Sequence, residues 1–136
     1  MGRREALHPG EEAPAARPLI AGKPLQAWLD RADELGGEGR YFDAHEELED
    51  AWKAAAGEEK VLLQGLIQVA AGLHRLKTDP SKPAGAFYLL DRGWDKLRRA
   101  GPLLTPDSLA KLDAALAAAR ASNNAPESLR FGLRSA

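Results

Sequence analysis

The run from Glu58 to Lys77 constrains this chain more than any other. Drawn as a helix, it places Val61, Leu62, Leu63, Leu66, Ile67, Val69, Ala70, Leu73 and Leu76 around nearly its whole circumference. A helix that is apolar all round has other elements around it, so this segment belongs at the centre of the fold. A buried parallel strand competes for part of the run, but length and the Ala, Leu and Gln content favour helix. Gly65 and Gly72 are poor helix formers, so packing must hold them there. Their small size also lets a neighbouring backbone come close.

Four further helices arrange around this one. Pro24 suits a first helical turn, and Leu25, Trp28, Leu29, Ala32 and Leu35 follow as one apolar face. Gly36, Gly37 and Gly39 end that helix. The second helix is expected from about Arg40 to Ala56, with Gly57 as its stop. After Asp79-Pro80-Ser81-Lys82-Pro83, a turn, Ala86, Phe87, Leu90, Trp94 and Leu97 mark the inner face of a fourth. Gly101-Pro102 closes it. Thr105 reads as an N-cap before Pro106, and Leu109, Leu112, Leu116 and Ala119 give a fifth amphipathic helix ending at Asn123-Asn124. No strand pattern occurs. The fold class is therefore all-α, a bundle of about five helices around the third, with short loops joining antiparallel neighbours.

At 136 residues the chain is the size of one domain. Residues 1–18 read as a mobile arm, 19–123 as the helical domain and 124–136 as a tail, which Phe131 and Leu133 dock onto the bundle unless it frays. The formal net charge of -1 gives no general attraction to nucleic acid or anionic membrane. The absence of cysteine excludes disulfides, thiolate metal sites and a cysteine nucleophile, and fits a reducing compartment. MGRREALHPGEE is charged and has no apolar core of a secretory signal. No apolar run approaches the roughly 20 residues of a membrane helix. A cytoplasmic location is expected.

The second helix carries the candidate chemistry. In YFDAHEELEDAW, Tyr41, Phe42, Leu48, Trp52 and Ala56 gather on one arc, and His45 and Glu49 fall inside it. A carboxylate on a buried stripe needs a partner. His45 and Glu49, at i and i+4, could ligate one metal, with Glu46 beside them as general base on a metal-bound water. The plainer reading is a core histidine bonded to Glu49, with Glu46 a solvated charge. Gln64 and Gln68 form a second pair on the third helix, with Arg75 on the same stripe. Their amides are expected to bond His45 and Glu49 across the interface, or to hold a small polar ligand. His74, beside this stripe, reaches the start of the second helix if the two run antiparallel. A His45/Glu49/His74 set would suit Zn, Mn or Fe; the plainer reading is a satisfied core histidine. On the network reading, Glu49→Ala costs about 1–3 kcal/mol, and Glu47→Ala on the outer arc costs little.

Elsewhere the residues support less. The serines lie in no nucleophile context, and Trp28, Trp52, Trp94, Phe42 and Phe87 fall at core spacing. Arg92, Lys96, Arg98 and Arg99 read as a solvated outer face of the fourth helix.

Two blocks together resemble the domain of unknown function 309 family. Tyr41, Phe42, Ala44, His45, Glu46, Glu49 and Trp52 match the first, and Gln64, Gly65, Leu66, Ile67, Gln68 and His74 the second. Gly85-Ala86 and the leucines after them fit the next helix, so the resemblance spans about Gly39 to Leu97. KTDPSKP departs from the family's shorter Gly-Asn turn. The resemblance implies a helical bundle, and members are sometimes labelled predicted metal-dependent hydrolases. Two classes of function follow: a metal-dependent hydrolase built on His45, Glu46, Glu49 and His74, or a non-catalytic helical module that binds a small molecule or a protein.

Overall fold

Five helices form where the apolar spacing places them, in a computed structural model that describes residues 17–136. The arm expected over residues 1–18 lies, as far as residue 16, outside the described residues. Helix α1 spans Leu25–Gly37 and buries Leu25, Trp28, Leu29, Ala32 and Leu35. Gly39 then turns the chain with φ of +73°, in the left-handed region that glycine adopts without strain. Helix α2 spans Tyr41–Ala54 and α3 spans Gly57–Thr78. Helix α4, Ala84–Arg99, runs into a single 3-10 turn at Gly101–Leu103. Helix α5, Pro106–Ser122, starts at Thr105, whose Oγ1 accepts from the Ser108 amide at 3.3 Å. It ends where Asn123 enters the left-handed region with φ of 55°.

Helix α3 lies between α2 and α4, with α1 packed on α2 and α5 on α4. Its closest neighbour is α4, and the sequence explains why. A Cβ on Gly65 would stand 2.9 Å from the Gly93 carbonyl oxygen, and one on Gly93 would stand 2.6 Å from the Gly65 oxygen. Two turns along α3, a Cβ on Gly72 would stand 3.0 Å from the Ala86 oxygen. The two backbones therefore touch directly at positions where a side chain would separate them. Leu62, Leu63, Leu66 and Leu73 of α3 form the core with Leu29, Leu48, Leu90, Leu97, Leu112 and Leu116.

The enclosure expected of α3 is incomplete. Val61, Gln64, Ile67, Gln68, Ala71 and His74 recur at helical spacing and are all half-buried, so one stripe of the central helix stays partly open. Residues 124–136 pack on α1 and on the start of α5. Phe131 and Leu133 are buried, and the segment is tied down by backbone bonds from Leu129 to Gly36 and from Thr105 to Arg134. Ser108, which no motif singled out, is buried there with both capacities used. Its hydroxyl donates to the Gly132 carbonyl at 3.1 Å and accepts from the Arg134 amide at 2.8 Å. No helix among the described residues is long and apolar enough to cross a membrane.

Candidate functional site

The partly open stripe of α3 is where the candidate residues collect. On its α2 side, His45 Nε2 stands 3.8 Å from Glu49 Oε1, one helical turn apart. The Phe42 ring lies 5.6 Å from that of His45 and 5.2 Å from that of His74, centroid to centroid. Phe42 thus stands against both histidines. His45, Glu49 and His74 do share one surface, but no group of three or more His, Asp or Glu side chains among the described residues is arranged to hold a metal ion. The two residues of that set in direct reach are His45 and Glu49. His45 Nδ1 is buried and has no hydrogen-bond partner, as is Trp52 Nε1 further along the helix.

Exposure corrects two expectations for α2. The Glu49 side chain is 45 % exposed, so its charge remains largely hydrated rather than buried on an apolar stripe. Phe42, placed on the core arc by its spacing, is 47 % exposed. The reason is shared: α2 has α1 on one side and α3 on the other, and its buried centre passes through Ala44, Leu48 and Ala51, turned away from Phe42 and Glu49. Glu46 is exposed, and with Glu47, Glu49, Asp50 and Lys53 it lines an open depression on the outside of α2. That edge of the molecule is acidic.

Across the stripe, the amides find a different partner from the one expected. Gln68 Oε1 accepts from Lys96 Nζ of α4 at 2.9 Å, rather than bonding His45 or Glu49. Gln64 is half-buried on the same stripe, one turn away. Lys96 is the residue that sequence reasoning missed by assigning it to a solvated face. Its signal was position: it follows Gly93 and precedes Leu97, the residues that meet Gly65. Partial desolvation pulls the Lys96 ammonium below its ordinary pKa, and the nearby positive charges of Arg92 and Arg99 pull it the same way. The Arg92 guanidinium lies over the Tyr88 ring at 5.6 Å, and Arg98 and Arg99 both pair with Asp95. This second edge is basic.

The surface as a whole has an acidic margin on α2, a basic margin on α4, and a floor of Gln64, Ile67, Gln68 and Ala71 between them. One exposed aromatic stands on each margin: Phe42, and Tyr88 at 61 % exposure. No curated protein and no solved structure matches the chain. One family does: its description, domain of unknown function (DUF309), matches residues 29–87, which hold most of α1, all of α2 and α3, and the first turn of α4. That span contains both blocks on which the resemblance rested, His45, Glu46, Glu49, Gln64, Gln68 and His74 among them. Over that segment the chain matches the DUF309 family, in agreement with the resemblance that the two blocks carry.

Proposed function

We propose that the chain is a non-catalytic helical module whose half-open α2–α3–α4 face binds another protein chain. The observation that carries this reading is the stripe on α3: the central helix of the fold, buried on its other sides, keeps six consecutive stripe positions only half-buried. Exposed aromatics on both margins give such a surface the anchors that protein interfaces use. Charged edges of opposite sign supply orientation. The test is photo-crosslinking in cells that express the chain natively. A photoreactive phenylalanine in place of Tyr88 is expected to give covalent protein adducts well above those from Ala114, which is exposed on α5. Equal labelling at both positions would overturn the reading.

A metal-dependent hydrolase is the second reading, and the 3.8 Å approach of His45 to Glu49 beside the exposed Glu46 is what favours it. His45 and Glu49 would be the ligands, with His74 or water completing the shell and Glu46 as base. Calorimetric titration with Zn²⁺, Mn²⁺ and Fe²⁺ discriminates. The interaction reading expects no difference between wild type and His45→Ala; binding that disappears with His45 would place the hydrolase first.

A further inference from the structure

The two margins of this face match each other. Lys60 Nζ stands over the Trp52 ring at 4.3 Å, and Phe42 stands against His74, which fixes how α2 and α3 run past one another. Between these two markers, Glu46 and Glu49 fall level with the turn of α3 that holds Gln64 and Gln68. On the other side, Lys96 reaches Gln68 and Gly93 meets Gly65, so Arg92 and Lys96 lie at that same level. Tyr88, one turn from Arg92 toward Gly85, is level with Ala71 and, across α3, with Phe42.

We infer that the occupant of this face is a second copy of the chain, related by a twofold axis parallel to α3. Such an axis turns the copy over without changing heights along α3. Helix α4 of the second copy then lies across α2 of the first, and α3 lies on α3. Glu49 meets Lys96 of the second copy, Glu46 meets its Arg92, and Phe42 meets its Tyr88. Because the operation is twofold, each contact is made twice. The alternative twofold, across the helices, lays the acidic α2 edges on each other and is opposed by like charge. At the centre, each Gln64 and Gln68 amide both donates and accepts, so it can pair with its own symmetry mate. Arg75 does not obstruct this, since its guanidinium folds over Gly85 toward α4. Three helices about 9 Å apart and about 20 Å long offer on the order of 600 Å² per copy, the lower end of specific interfaces. The expected dimer is therefore concentration-dependent.

This inference rests on the interaction reading and goes further by naming the occupant. The chain has no cysteine, which makes a disulfide test clean. Phe42→Cys and Tyr88→Cys variants, each purified alone, are expected to form little disulfide dimer, because like positions lie about two helix spacings apart. Mixed and mildly oxidised, they are expected to form it readily. In parallel, sedimentation velocity is expected to show Glu49→Lys and Lys96→Glu each weakening self-association by about tenfold, and the double variant restoring it. Thermal melts confirm that each variant is folded. A wild type that stays monomeric to about 100 µM overturns the inference, as does cross-linking of each single variant to itself, or a double variant no better than the singles. Photo-adducts at Tyr88 that contain a different protein, with no self-adduct, would refute the second copy and leave the interaction surface standing.

Discussion

Tyr41 carries its hydroxyl into the core, where it donates to the Pro126 carbonyl at 2.6 Å. Burial pushes its pKa up from 10.0 to about 12. The folded state therefore holds this proton more tightly than the unfolded chain does. The stabilisation is fully present below pH 10 and is lost as pH rises toward 12. Urea melts at closely spaced pH values are expected to show stability falling faster above pH 10 in wild type than in Tyr41→Phe; parallel slopes would refute it. At lower pH, Tyr41→Phe itself costs about 1 kcal/mol, the usual worth of one hydrogen bond. The exposure of Glu49 also reverses an expectation drawn from spacing. Its removal takes only one long contact from His45 and leaves no buried unmet charge, so Glu49→Ala should stay within about 0.5 kcal/mol in urea melts. Glu47→Ala should now be the more damaging of the two, because Glu47 accepts from Arg31 Nε through both oxygens, at 3.0 and 3.1 Å. Spacing placed both residues on the right helix. It could not say which arc of α2 is buried, because that arc is set jointly by α1 and α3, and Phe42 and Glu49, two turns apart on one side of it, fall inside or outside according to how those neighbours sit.

At the scale of elements, periodicity was enough to find all five helices, and the capping chemistry of Thr105-Pro106 and Asn123 marked the ends of α5. What the periodicity of α3 concealed was the open stripe. Ile67, Ala71 and Val61 are apolar, and an apolar residue carries no mark of whether it faces a neighbour within the fold or a surface left partly open. The glycines were more informative. Gly65 and Gly72 had to be explained by close approach, and the contact with Gly93 and Ala86 supplies it. Gly93→Ala is expected to force α3 and α4 apart and to cost about 1–3 kcal/mol, as overpacking does. The measurement is the midpoint in urea with an unchanged m-value. A neutral substitution would mean that the two backbones are not held in contact.

For the whole molecule, the family segment and the folding unit are not the same length. Residues 29–87 include α3 but stop in the first turn of α4, whose Leu90, Gly93 and Leu97 cover one side of it. A peptide of residues 29–87 is therefore expected to show no cooperative thermal unfolding by circular dichroism, and the chain to residue 136 to show one; a cooperative melt of the fragment would refute this. The packing role of residues 124–136 was only half legible. Phe131 and Leu133 suggested docking, but the polar fastening through Gly36, Asp33 and Ser108 uses backbone groups that every residue carries. That same fastening brings residue 136 beside residue 17: Arg17 donates to the Ala136 carbonyl at 3.3 Å. Residues 17–136 thus run nearly in a ring, and the packing within that span does not depend on where the ring is cut. A linker of about six residues can join residue 136 to residue 17 in a chain that omits residues 1–16, and new ends opened in the exposed turn at Asp79–Lys82 would fall where no helix is interrupted. Such a permuted chain should reach the same fold, with α4 synthesised first and α3 last.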